Sequence, residues 1–251
     1  MAPESWAQAQ EILVATDEHL AGLGEGRELS LVICPPFVYL EEASKLLNTS
    51  HLIHEAQLGA QDIAVEDKGA DTGEISGPML TNLNVRYVIV GHSERRWKMG
   101  ESDELVNAKL KAVLRNGMVP IVCIGEQTRE GDYKSFLRQQ ILATFAGLSG
   151  EDINNCLIAY EPVWAISTNP GAHPDTPESA LESIEYIDEV LRSTFHVSRS
   201  TFLYGGSVNS KNAEEFLKIP AFSGVLVGGA SVKKEEFLKI LTISSALTSI
   251  H

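Results

Sequence analysis

Seven short apolar runs, separated by longer amphipathic stretches, set the terms on which this chain folds. The runs are LSLVIC at 29–34, EAQLGA at 55–60, RYVIVG at 86–91, VPIVCI at 119–124, CLIAYE at 156–161, TFLYGG at 201–206 and GVLVGG at 224–229. Most are continuously apolar, as strands of a parallel sheet buried on both faces must be. Helical periodicity fills the intervals at 4–22, 37–47, 77–84, 103–116, 132–146, 177–194, 209–218 and 233–242. The first of these places Ser5, Trp6, Ala9, Ile12, Leu13 and Leu20 at helical spacings, with Pro3 and Glu4 suited to a first turn. Alternation of this kind predicts an α/β fold. Eight helices against seven strands suit an open doubly wound sheet poorly and fall one strand short of a (β/α)8 barrel, the TIM-barrel architecture. The expectation is therefore such a barrel, lacking its first strand in the sequence as given. No linker or charge block divides the chain, which reads as one domain over 1–251. The stretch 242–251, small and polar, is expected to fray.

Composition narrows the function. A net charge of −14 disfavours nucleic acid and anionic membrane as partners, since both require a basic surface. There is no apolar run long enough to span a bilayer, and no basic segment leading into an apolar core at the N-terminus, so the expected location is cytoplasmic. Cys34, Cys123 and Cys156 are odd in number, widely spaced and set in apolar runs, which predicts buried thiols with no disulfide. His51 and His54 stand three apart with no third ligand in view, so no metal site is expected.

Barrels of this class build their sites from the loops that follow the strands. After the run at 86–91, GHSERR places His92 at the mouth. The free amides of Ser93 and Glu94 there would favour a neutral imidazole. After the run at 156–161, AYEPVWAIST places Glu161 at the mouth beside Val163 and Trp164, whose apolar bulk would partly desolvate a general base. YGGSV and VGGAS end the last two runs in paired glycines, which let backbone amides approach an anion. Gly228 and Gly229 also stand just ahead of the last helical stretch.

The chain resembles the triosephosphate isomerase family. The resemblance is carried by CPPFVYL at 34–40, GAQD at 59–62, DTGEIS at 71–76, VIVGHSERR at 88–96, VCIGE at 122–126, AYEPVWAI at 159–166, YGGSV and LVGGAS, in that order from Cys34 to Ser231. It implies a cofactor-free homodimeric enzyme of glycolysis and gluconeogenesis. Such an enzyme interconverts dihydroxyacetone phosphate and glyceraldehyde 3-phosphate by proton transfer through an enediolate. By position, Glu161 resembles the base, His92 the neutral electrophile and Glu94 a supporting carboxylate. Ser167, Ser207, Gly228 and Gly229 resemble the phosphate-binding groups, and Thr72 the residue that reaches into a neighbouring subunit.

The sequence departs from the family pattern twice. The loop after the base, AISTNPGAHPDTPESA at 165–180, is longer and richer in proline than the family's short lid. It has Ser167 at the place of a lid glycine, His173 facing solvent, and Thr176 and Pro177 restarting a helix. The family's first strand ends in an Asn-x-Lys segment, and Met1 stands at the equivalent place here; the expected reason is a strand upstream of the sequence as given. Two other readings stay open: a weak or inactive homologue that still binds phosphosugars, and a dimerising barrel without catalysis.

Overall fold

Parallel strands cannot be joined by tight turns, so each must be followed by a crossover, and here the crossovers are helical. The computed structural model describes residues 2–23, 29–49, 56–167, 169 and 171–248, the side chains of Thr49 and Thr248 excepted. Among them, β1 (Leu31–Ile33), β2 (Ala56–Ala60), β3 (Tyr87–Val90), β4 (Val119–Ile124), β5 (Leu157–Tyr160), β6 (Thr201–Tyr204) and β7 (Phe222–Val225) lie side by side in chain order. Every neighbouring pair is parallel. The helices are α1 (Trp6–Gly22), α2 (Leu40–Thr49), α3 (Gly77–Asn82), α4 (Ser93–Lys98), α5 (Asp103–Arg115), α6 (Tyr133–Thr144), α7 (Gly150–Asn154), α8 (Pro177–Phe195), α9 (Ala213–Leu217) and α10 (Lys234–Thr248). Strands that pair in chain order through helical crossovers of one hand curl the sheet in one direction, which is the wall of a TIM barrel.

The period of two along each strand divides the core. Ile89, Ile121, Cys123 and Ala159 form an inner cluster with Cys34, Tyr87, Leu157, Leu203 and Leu226. Their alternates Val88, Val90, Val122, Ile124, Ile158 and Tyr160 pack outward against the helices. Continued past β5, the same period puts residue 161 on the inner side, at the strand's C-terminal end. Within the described residues β1 and β7 are the two edges of the sheet. The helical layer meets itself across that interval: His19 Nε2 and Thr242 Oγ1 are 2.8 Å apart, and Lys234 donates to Glu11 at 2.6 Å.

Several expected boundaries move for identifiable reasons. The strand expected at 224–229 is β7, at 222–225. Its ladder follows β6, which ends at Tyr204, and the last bond across is Leu226 N to Tyr204 O. The helix expected from 209 starts at Ala213, because the side chains of Asn209 and Asn212 accept from local backbone amides at 2.9 and 2.8 Å respectively. The end expected to fray after Leu241 is helix as far as Thr248, with Ser245 buried. Two short helices, α4 and α7, add to the eight expected; α7 carries a capping box between Ser149 and Asp152. Thr176 caps α8 and Pro177 is its first residue, as read from the sequence. All three cysteines are free thiols; Cys123 and Cys156 are buried and Cys34 half-buried. No helix among the described residues is long and apolar enough to cross a membrane. His51 and His54 lie outside the described residues.

Candidate active site

Glu161 is built into the barrel mouth from both sides. A side chain on residue 125, at the end of β4, would place its Cβ 1.8 Å from Glu161 O. One on residue 205, at the end of β6, would come within 2.9 Å of Glu161 Cγ. Only glycine fits at either place, and the glutamate occupies the room they leave. The residue is 2% exposed. Oε2 accepts from Ser93 N at 2.9 Å, and Oε1 lies 3.1 Å from His92 Nε2. The Cys123 thiol also donates to it. Burial pushes the Glu161 pKa above the ordinary value of 4.5; His92, the Ser93 amide, the Cys123 thiol and the more distant Arg96 oppose the shift. Burial and the adjoining Glu161 charge together push the Cys123 thiol well up, so it stays protonated.

His92 is the N-cap of α4, and its Nδ1 accepts the Glu94 amide at 3.3 Å. A ring nitrogen that accepts a hydrogen bond carries no proton, so the neutral ring has its proton on Nε2, facing Glu161. Of the two amides that the sequence assigned to this imidazole, only that of Glu94 reaches it. The amide of Ser93 serves the carboxylate. Arg96 fixes the turn beneath: buried, it donates to Gly91 O at 2.7 Å and pairs with Asp103. Gly91, Ser93, Arg96, Trp97, Cys123, Glu161 and Val163 line a crevice here too narrow to admit a water molecule.

The other expected residues are placed unequally. Ser167 N donates to Ser207 Oγ at 2.7 Å, so the structure joins these two directly. Gly228 and Gly229 lead into a short 3-10 turn, Gly229–Val232, which stands between them and the expected long helix, α10 from Lys234. Gly228 O accepts from both the amide and the hydroxyl of Ser231, and no atom stands within 4 Å of the Cβ that either glycine lacks. The first glycine pair differs. Gly205 makes room for Glu161, and a Cβ on residue 206 would lie 2.3 Å from the Tyr204 hydroxyl oxygen, so packing accounts for both. The Glu94 carboxylate is not brought to the site: it is 54% exposed and bound to Lys98 at 2.7 Å. Trp164, expected to shield Glu161, instead donates its indole N–H to the buried Glu126 at 2.9 Å.

Thr72 stands in an exposed turn closed by Glu74 N to Asp71 O at 3.0 Å. Gly73 at φ +94° supplies the left-handed third position that a type II turn requires. Thr168 and Pro170 lie outside the described residues. Sequence reasoning missed Cys123 and Gly125 at the site. Both belong to VCIGE, and Gly125, a glycine at the mouth beside a strand that ends in a carboxylate, was the available signal.

The family model described as triosephosphate isomerase matches residues 3–244. Similar curated proteins include the triosephosphate isomerase of Nostoc punctiforme, 44% identical over 94% of this chain and 91% of its own length. That of Roseiflexus castenholzii is 40% identical over 88% and 87%, and that of Carboxydothermus hydrogenoformans 42% over 85% and 84%.

Proposed function

The chain belongs to the triosephosphate isomerase family, and on that premise we propose which of its residues interconvert dihydroxyacetone phosphate and glyceraldehyde 3-phosphate. Glu161 is the base. It removes a proton from the carbon next to the substrate carbonyl; the C–H electron pair becomes the C=C bond of an enediolate as the carbonyl π pair moves to oxygen. His92 donates its Nε2 hydrogen bond to that oxygen, where negative charge develops. Glu161 then returns the proton to the former carbonyl carbon, while the proton of the neighbouring hydroxyl passes to the former carbonyl oxygen by way of His92 Nε2 and the new C=O forms at the carbon that lost its hydrogen. The observation that carries this reading is a fully buried carboxylate that is touched only by neutral donors. Nothing in direct contact neutralises it, so it stays basic.

Both carboxylate oxygens are engaged, one by His92 and one by Ser93, so the base must leave at least one of them to reach carbon. Ser167 N, the Ser207 hydroxyl and the amides at Gly228 and Gly229 are the groups assigned to the phosphate. Backbone donors suit an anion in a protein of net charge −14, because contact geometry decides where screened long-range charge does not. Glu94 acts through its amide on His92. The working unit is a homodimer, with the exposed turn at Thr72 entering the partner. Val38, 76% exposed after β1, and Met79, 56% exposed at the start of α3, supply apolar surface on neighbouring elements. The expected compartment is the cytoplasm.

Isomerisation run in deuterium oxide tests the mechanism. Proton transfer through a carboxylate that exchanges with solvent leaves deuterium on the product carbon, seen by proton NMR. Product free of carbon-bound deuterium, together with turnover unchanged in Glu161→Gln, would mean that the hydrogen moves without Glu161.

A further inference from the structure

One side chain that the reaction does not otherwise use grips the start of α8 and sets its charge beside the carboxylate that holds both sides of Glu161. Arg129, in the loop after β4, donates through one arm of its guanidinium to Ser183 Oγ at 2.9 Å. Through the other it donates to Ser179 O at 2.9 Å and Ser179 Oγ at 2.7 Å, so it holds the first turns of α8. Its Nε lies 3.9 Å from Glu126 Oε1, the atom that also accepts Trp164 Nε1 at 2.9 Å and the Tyr160 hydroxyl at 2.8 Å. The guanidinium carbon sits 4.3 Å above the Tyr133 ring and 6.0 Å from the Trp164 ring. Tyr160 and Trp164 flank Glu161 in sequence, one immediately before it and one three residues after.

We propose that Arg129 is a positioning residue for the isomerisation: its fork fixes the spacing between the strand end that presents Glu161 and the helix that begins at Pro177. A lysine could supply the charge to Glu126 but not the two-armed grip on Ser179 and Ser183. The effect on turnover rests on the function proposed above; the grip itself does not. A connection held at one end alone lets the strand end drift, and misplacement of a catalytic group by about 1 Å costs on the order of a hundredfold in rate.

The test uses the full chain with Trp6→Phe and Trp97→Phe, which leaves Trp164 as the sole tryptophan. Into this background go Arg129→Ala, Arg129→Lys and, as control, Arg192→Ala, whose guanidinium binds Asp188 and Ser198 on the far end of α8. Acrylamide quenching of Trp164, kcat and KM are measured on protein shown to be folded by circular dichroism. For Arg129→Ala, quenching rises and kcat falls roughly ten- to a hundredfold, with KM changing less; Arg129→Lys recovers only a minor part of the loss. Quenching and kcat equal to those of Arg192→Ala overturn the proposal, as does full recovery by lysine. Should Arg129→Ala fail to fold, Arg129→Lys and Ser183→Ala decide on the same readings. If the chain with all three tryptophans in place does not isomerise triose phosphates, the functional reading has failed, and quenching alone still decides the grip.

Discussion

Two buried carboxylate sites adjoin α4, one at its N-terminal end and one at Arg95, and are partnered in opposite ways. At the first is Glu161, held by an imidazole, a backbone amide and a thiol. At the second, Asp62 and Glu101 share two cations. Lys109 reaches Asp62 at 2.6 Å and Glu101 at 2.5 Å, and Arg95, from α4 itself, reaches both at 2.7 Å. Asp62, Glu101 and Lys109 are each below a tenth exposed. The quartet is charge-balanced, so its members attract one another and pin α4 to α5 and to the loop after β2. Glu161 has no such balance, so its charge is a cost to the fold and a resource for chemistry. The two cations hold the Glu101 pKa below its ordinary value while burial still raises that of Asp62; Glu161, whose direct partners are all neutral donors, is raised by burial with no cation in contact to offset it.

The largest expected effect separates the two sites by rate. Glu161→Gln is expected to lower kcat by about 10² to 10⁴ with little change in KM, because the base acts only as the proton moves. Steady-state kinetics on the folded variant checks this, and a loss under tenfold would place the base elsewhere. Next in size, Lys109→Met leaves two buried carboxylates sharing Arg95 and is expected to cost about 3–5 kcal/mol of stability. Urea unfolding measures it, while kcat per folded molecule should change far less than in Glu161→Gln. If it collapses equally, the quartet belongs to the chemistry and the comparison breaks.

A third substitution probes the neutral partner on the catalytic side. His92→Ala removes the donor facing the enediolate oxygen and is expected to lower kcat by about 10² to 10³. His92→Ala should leave the pH at which Glu161 titrates higher still, because the ring now opposes the burial-driven shift. An acid limb in kcat/KM that moves downward would contradict the contact between His92 and Glu161.

The same contrast explains what could be read from the chain. Strand positions, His92, Glu161 and the Thr176 cap were legible, because each depends on local periodicity or on a residue type at a strand end. The quartet was not. Asp62, Arg95, Glu101 and Lys109 belong to four separate segments, and only the fold makes them neighbours. The amide of Ser93 left no trace either, since a backbone donor has no residue type; its direction depends on how Arg96 ties down Gly91. The end of β7 was misread because an apolar run fixes where a strand can form, while its partner's end at Tyr204 fixes where it stops.

The smallest expected effect concerns stability and has the sharper sign. Burial raises the folded-state pKa of Glu161 above its ordinary 4.5. Between those two values the folded state holds a proton that the unfolded state has released, so folding stability attributable to this group falls as pH rises through the window. Below pH 4.5 both states are protonated and the cost is absent; above the folded pKa it is present in full. Glu161→Gln carries no such proton. The difference in unfolding free energy, parent minus Glu161→Gln, should therefore decline with rising pH, at no more than about 1.4 kcal/mol per pH unit for one proton. Beyond the folded pKa it should level off, with the less active variant relatively most favoured there. Urea unfolding of both proteins from pH 4 upward, with titrations elsewhere cancelling in the difference, gives the curve. A difference that grows with pH would mean that His92, Ser93 and Cys123 more than offset the loss of water around the carboxylate. Glu161 would then be anchored as firmly as Glu101, whose two cations hold its pKa below the ordinary value against its burial.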